Sequence, residues 1–283
     1  MLQEAELRRC APKDLGKARV ISHKIVQFVT RAARANLKAE PDDSHSNIGW
    51  NSAFKSFLSQ PLGWDGSAIF VGASMSPLSI GVLREAQIVA ALPLENTKEG
   101  EAAAWLDTEL QKLGLNPASC VTLPYELPKP VAERRVFSSG ADRAALSTLS
   151  AWFELAHFLL SEFAAANAQL RPGPSPVRCW PHHFDIATYV SLEAGDFESA
   201  KGIGVGMSPG DETYDLPYFY INPWPHLDAA DLPELPMPGH WHSEGFVGAI
   251  ATADEILSSN GMRETLAKFI AGAFSIGRKK LGV

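Results

Sequence analysis

Long helical stripes alternate with groups of short apolar segments in this 283-residue chain, and that alternation limits the folds open to it. Apolar side chains recur every three or four residues over about 14–38 and again over 141–167, which predicts two long amphipathic helices. Three Ile- and Val-rich segments bounded by Gly or Pro follow each helix, as is typical of strands. The predicted strands are 67–73, 79–84, 87–94, 185–192, 202–207 and 218–222, and further helices are predicted over 99–113, 253–258 and 262–280.

This order of elements predicts an α+β fold of two pseudo-repeated halves, each with antiparallel strands packed against a long helix. The proline-rich stretch LPYELPKPVAERR has no sustained period, so 1–123 and 140–283 are predicted to be the halves and 124–139 the connector. Val-Gly and Met-Ser-Pro recur at 71–77 and 205–209, which favours an internal duplication with a ligand cleft between two similar sheets. Chance recurrence of such short matches is the alternative.

Charge and composition argue against several classes of partner. The 32 acidic and 25 basic residues give a net charge of −7, which opposes binding to nucleic-acid phosphates. No apolar run is long enough to span a bilayer, and the first residues lack the apolar core of a secretory signal, so no membrane partner is expected. The three cysteines, Cys10, Cys120 and Cys179, are in no metal-like spacing and suit a reducing compartment, so a cytoplasmic location is expected.

Histidine and tyrosine are concentrated in one part of the second half. Five of the eight histidines and four of the five tyrosines lie within residues 182–242. Imidazoles supply metal ligands and proton carriers, and phenols supply apolar walls with one polar edge. This mixture is typical of ligand pockets, so a small-molecule partner is expected.

Two short histidine motifs predict a metal site. The segment WPHHFD is predicted to enter a strand, where side chains two residues apart share a face, so His183 and Asp185 should converge. In the motif H-W-H, His240 and His242 should likewise point the same way, with Trp241 directed into the core. These three imidazoles and one carboxylate form a ligand set that suits a divalent metal such as zinc.

A metal-free acid–base site is left open by the same residues. Asp185 is able to orient His183 or His242, and Glu244 is a further acid or base, so these four are the catalytic candidates. Histidines that only hydrogen-bond the backbone at a sheet edge are the non-functional alternative.

Aromatic side chains around these motifs predict a ligand-binding surface. The segment YFYINPWPH places Tyr218 and Tyr220 on one face of a strand and core residues on the other. With Trp180, Trp224 and Trp241 they would stack on a planar or sugar-like ligand. The predicted function is a small-molecule enzyme with a His/Asp site. In one form of this hypothesis the enzyme requires a divalent metal. The alternative is a non-catalytic small-molecule-binding or interaction protein that uses this aromatic surface.

The glycine-rich segment GIGVG at 202–206 has a simpler interpretation than nucleotide binding. It lacks the third glycine of G-x-G-x-x-G and leads into Met-Ser-Pro instead of a helix. It is interpreted as a strand to which other groups approach closely.

The order of several segments resembles a bacterial family, a domain of unknown function. The resemblance rests on Ser175-Pro176-Val177, Trp180, Phe184-Asp185 with Ala187, the aromatic strand from Tyr218 to Pro225, and Trp241-His242 with Glu244. The family has no established activity, so the resemblance implies a fold and no reaction. His182 and His183 depart from its pattern.

Overall fold

A computed structural model describes residues 4–63, 68–195 and 199–283. It confirms the α+β class, because helices accompany two antiparallel sheets of five and seven strands. The chain forms two units, Met1–Glu154 with Cys179–Phe184, and Leu155–Arg178 with Asp185–Val283. The division falls within a long helix, whereas the proline-rich segment 124–139 belongs to the first unit.

The first unit is built on an antiparallel sheet in the order β1-β2-β3-β4-β5. Its elements are α1 (Glu4–Leu7), α2 (Gly16–Asn36), β1 (Gly49–Asn51), β2 (Ser56–Leu58), β3 (Ile69–Met75), β4 (Leu78–Arg84), β5 (Gln87–Pro93), α3 (Glu99–Lys112), α4 (Lys129–Ala132) and α5 (Arg143–Ala166), whose residues from Leu155 belong to the second unit. Helix α2 packs on β2 and β3, and Ile21, Ile25 and Phe28 lie on its buried stripe. Full burial of one such side chain contributes about 1.5–3 kcal/mol.

The second unit is built on a sheet in the order β11-β12-β10-β9-β8-β6, with β7 as the seventh strand beside β8. Its elements are β6 (Gly173–Pro174), β7 (Arg178–Trp180), of which only Arg178 belongs to this unit, β8 (Asp185–Ser191), β9 (Gly202–Ser208), β10 (Tyr218–Trp224), β11 (His240–His242), β12 (Gly248–Thr252), α6 (Ala253–Ser258) and α7 (Met262–Leu281). Helix α7 packs on β9 and β10. The approach is close because Gly277 has no side chain: a Cβ there would lie 3.0 Å from Ile203 Cδ1 and 3.1 Å from Pro223 Cγ.

The predicted helices and strands are confirmed to within two residues at their described ends. Ser67, the first residue of the predicted strand 67–73, lies outside the described residues. The short strands β1, β2, β6, β7, β11 and β12 are additional to the prediction. The internal duplication and the cleft between its halves stay predictions. None of the helices in the described ranges is long and apolar enough to cross a membrane.

Candidate functional site

Cross-strand register brings polar side chains to one face of the second unit's sheet. Residues directly opposite each other in antiparallel strands share a face. Tyr220 lies opposite both Gly206 and Ile250, and Ile250 lies opposite His240. The surface defined by this register, called the polar face below, includes Asp185, Tyr189, Tyr218, Tyr220, Asn222, Trp224, His240 and His242. The other face carries the apolar side chains of β9 and β10 toward α7.

Glycines of β9 make room for tyrosine rings on the polar face. A Cβ at Gly202 would lie 2.1 Å from the hydroxyl oxygen of Tyr189, and one at Gly206 would lie 2.5 Å from Cζ of Tyr220. The interpretation of GIGVG as a strand is confirmed, and the groups that come close to it are tyrosine rings. The space that the glycines leave is filled by the protein's own phenols.

Two of the tyrosines on the polar face donate hydrogen bonds to carboxylates. The hydroxyl of Tyr220 donates to Oδ2 of Asp185, and that of Tyr218 donates to Oδ2 of Asp211. Burial raises the pKa of Tyr218, and the hydrogen bond and the negative charge of Asp211 raise it further. Tyr218 therefore stays a neutral donor at physiological pH.

Asp211 also fixes the loop that carries a third tyrosine. Its Oδ1 accepts hydrogen bonds from the backbone N–H groups of Thr213 at 2.8 Å and Tyr214 at 2.9 Å. Its own N–H donates to the carbonyl oxygen of Tyr214 at 2.7 Å. Such an Asx turn sets the direction of the chain without regular secondary structure. It directs Tyr214 back toward the sheet, where its ring centroid lies 5.0 Å from that of Tyr218.

The hydroxyl of Tyr214 contacts both imidazoles of β11. It lies 3.0 Å from Nδ1 of His242 and 3.3 Å from Nε2 of His240. The expectation that the two histidines of H-W-H point the same way is confirmed by this shared partner. Burial raises the pKa of the Tyr214 hydroxyl, and the negative charges of Glu255, Asp211 and Glu244 add to this effect.

The partners of the two rings determine which nitrogens carry protons. Nε2 of His242 lies 2.7 Å from the carbonyl oxygen of Glu244 and must donate to it, so Nδ1 of the neutral ring accepts from Tyr214. Nδ1 of His240 lies 2.9 Å from Oε1 of Glu255 and donates to that carboxylate. Because Tyr214 has a single proton, it can donate to only one of the two rings at a time.

Glu255 is held rigidly by the beginning of α6. Its Oε2 accepts from both the backbone N–H and the hydroxyl of Thr252, each at 2.7 Å, as part of a capping box. Its other oxygen is thereby presented to His240. This arrangement of carboxylate, imidazole and phenol is the kind that orients a ring for proton transfer.

The remaining candidates of the second unit occupy different environments. Glu244 holds His242 through its backbone carbonyl, and its side chain is exposed. Trp224 is 37% exposed, with its ring centroid 5.0 Å from that of His226. Trp241 lies on the face of the sheet opposite the two histidines, but it is half-buried and not part of the core. Its indole N–H donates to the carbonyl oxygen of Pro233 at 2.7 Å.

The segment WPHHFD is not extended as predicted. Residues 181–184 form a turn, closed by a hydrogen bond of 2.7 Å from the N–H of Phe184 to the carbonyl oxygen of Trp180. Phe184 has a φ of 62° and is buried, 5.0 Å from the ring of Phe153. The turn removes the strand alternation that was expected to align His183 with Asp185. His183 and Trp180 belong to the first unit, and Asp185 belongs to the second.

The first unit contains a buried polar group that the sequence analysis did not single out. Nε2 of His23 and Nε2 of Gln27, one turn apart on α2, both donate to the carbonyl oxygen of Pro181, at 2.9 and 2.8 Å. The hydroxyl of Tyr125 donates to Oε1 of Gln27 at 2.8 Å. Burial lowers the pKa of His23 to about 4, so the ring is neutral at physiological pH. Its role is to anchor the 181–184 turn.

The predicted metal set receives no support from this geometry. Within the three described ranges, no group of three or more His, Cys, Asp or Glu side chains is arranged to hold a metal ion. Both ring nitrogens of His240 and of His242 lie within hydrogen-bond distance of protein atoms. Ligation of a metal by either ring would have to replace one of these bonds. Metal binding through His183, Asp185, His240 and His242 stays a prediction.

Four residues of the observed site were missed, and three of them had a signal in the sequence. Thr252 and Glu255 have the T-x-x-E spacing of a capping box, which marks a helix start and a fixed carboxylate. Asp211 is followed at two residues by Thr213, a spacing compatible with an Asx turn. Nothing in the sequence places Tyr214 against β11, because that contact joins residues far apart in the chain.

Comparisons with protein-family models, with curated proteins and with solved structures found no match for this chain. The resemblance to a bacterial family therefore stays a prediction, and the function is argued from the site alone.

Proposed function

We propose that the chain is a small-molecule enzyme that transfers protons at the polar face of the second unit. One observation carries the proposal: the hydroxyl of Tyr214 lies within hydrogen-bond distance of two imidazoles, one of which is held by Glu255. A protein that only binds a ligand needs no acid or base in a fixed position. General acid–base groups of this kind typically contribute about 10²–10⁴-fold to a rate.

His240 is the group best placed to exchange a proton with a substrate. Its side chain is 40% exposed, whereas His242 is buried. Glu255 holds Nδ1 at 2.9 Å, so Nε2 is the ring nitrogen left to give or take a proton. A substrate oxygen or nitrogen that reaches Nε2 replaces its long contact with Tyr214, and Tyr214 keeps its shorter bond to His242.

Non-catalytic binding of a small molecule is the second candidate. It is favoured by the exposed indole of Trp224, which shares the polar face with Tyr220. An aromatic surface of this kind stacks on planar or sugar-like ligands without any proton transfer.

Turnover of bound ligands separates the two candidates. The wild type, His240→Gln and Tyr214→Phe are dialysed against a defined mixture of metabolites, and bound and free pools are followed over time by mass spectrometry. An enzyme consumes a metabolite that it binds, and the two variants should retain binding but lose about 10²-fold or more in rate. His45→Gln, a histidine substitution in the first unit, is the matched control and should retain the rate.

Recovery of every bound metabolite unchanged from the wild type would overturn the enzyme proposal in favour of binding. Equal rates in wild type and His240→Gln would overturn the assignment of His240. Circular dichroism of each variant shows whether a lost rate reflects a lost fold.

A further inference from the structure

A groove lies between the C-terminal ends of α5 and α7 in the second unit, on the helix side of the sheet and separate from the polar face. Its volume is about 450 Å³, within the range of about 300–1,000 Å³ that is usual for small-molecule pockets. Phe163 and Phe274 form an apolar floor, with their ring centroids 4.9 Å apart. Ala271 and Asn167 lie at its sides.

Two cations line the groove without an acidic partner. Arg278 and Lys279 come from the last turn of α7, and neither forms an ion pair with any residue in the described ranges. Lys280, the next residue, does form one, at 2.6 Å from Oδ2 of Asp231. Nε of Arg278 is buried and has no hydrogen-bond acceptor among the described residues.

We propose that this groove binds a small organic anion, a carboxylate with an apolar body. The planar guanidinium of Arg278 matches a carboxylate in shape and charge, and Lys279 adds a second positive charge. The apolar body of the ligand lies against Phe163 and Phe274. An inorganic anion would use the cations alone, and a neutral apolar compound would leave them without a partner.

The position of the cations at a helix end provides a matched control. Positive charges in the last turn of a helix interact favourably with the terminal carbonyl groups, and Arg278 and Lys280 share this effect. Lys280 is directed to Asp231 and does not line the groove. A substitution at either position removes one charge from the same helical turn, but only Arg278→Gln changes the groove.

Isothermal titration calorimetry with two ligands of equal chain length tests the proposal. Octanoate should bind saturably to the intact protein, and octylammonium should not. Arg278→Gln should weaken octanoate binding by about tenfold or more, and Lys280→Gln should leave it within about twofold. Ala271→Trp, which keeps both cations and fills the groove, should abolish binding.

Three results would overturn the proposal. They are the absence of saturable octanoate binding to the wild type, equal binding of octanoate and octylammonium, and equal losses in Arg278→Gln and Lys280→Gln. Thermal unfolding of each variant shows whether it is folded. If the loss of a charge unfolds the last turn of α7, Ala271→Trp still tests the groove, because it leaves the charges of that turn unchanged. None of these results depends on turnover at the polar face.

Discussion

Two carboxylates of the second unit, those of Asp211 and Glu255, each accept hydrogen bonds from two parts of the structure. Asp211 uses one oxygen to form the turn that carries Tyr214 and the other to accept from Tyr218. Glu255 divides its oxygens in the same way, between Thr252 and His240. A polar group with two satisfied partners in a partly buried place is costly to remove, because each partner is left without its hydrogen bond.

Glu255→Ala should lower the free energy of unfolding by about 1–2 kcal/mol, since the variant loses the capping box and the partner of His240. Urea unfolding measures the change. Asp254→Ala is the matched control, because Asp254 also lies in the first turn of α6 but is exposed. It should lose only the helix-dipole contribution, about 0.3–1 kcal/mol. Equal losses in the two variants would contradict the double role of Glu255.

At the scale of single elements, the sequence of β9 determines which side chains pack against each face of that strand. Its alternate residues are glycines on the polar face and apolar side chains on the face that meets α7. The strand pattern was predictable because it is local, with a period of two. The tyrosines that cover the glycines come from the neighbouring strands, and the sequence alone does not give their register.

Gly206→Ala and Gly204→Ala form a matched pair on β9. A Cβ at Gly206 would lie 2.5 Å from Cζ of Tyr220 and 2.8 Å from Cβ of Ala187, so the substitution should destabilise by about 1–3 kcal/mol. A Cβ at Gly204 meets its nearest atom at 3.8 Å. Gly204→Ala should therefore be neutral, or stabilising by about 0.4–1 kcal/mol through the unfolded chain. Thermal or urea unfolding measures both changes. A larger loss of stability in Gly204→Ala than in Gly206→Ala would contradict the close packing of Tyr220 on Gly206.

At the scale of the whole molecule, buried histidine makes stability depend on pH. The pKa of His23 is lowered to about 4 by burial, whereas in the unfolded chain it is near the ordinary 6.5. Below pH 6.5 the unfolded chain gains a proton that the folded chain does not, so stability is lost as the pH falls toward 4.

The free energy of unfolding should fall by about 2 kcal/mol more in the wild type than in His23→Gln when the pH is lowered from 7 to 5. Urea unfolding at several pH values gives the comparison. His226→Gln, at an exposed position, is the control and should keep the wild-type dependence. An unchanged dependence in His23→Gln would mean that His23 is protonated in the folded protein.

The sequence predicted the fold well and the site in part, and the reason is the range of the interactions. Helix α2 and strands β8 to β10 follow local periods, so their ends were predictable within two residues. The H-W-H pair was also a local inference. The turn at 181–184 depends on the packing of Phe184 against Phe153, and the site depends on Tyr214 returning to β11. Contacts of that kind join distant residues and leave no period in the chain.

The carboxylate of Glu255 couples the beginning of α6 to the ring of His240. When the first turn of this helix unfolds, His240 also loses its hydrogen bond to Glu255. The rate at which backbone amides of 253–256 exchange their hydrogens with solvent therefore also reports how often the contact between Glu255 and His240 is lost.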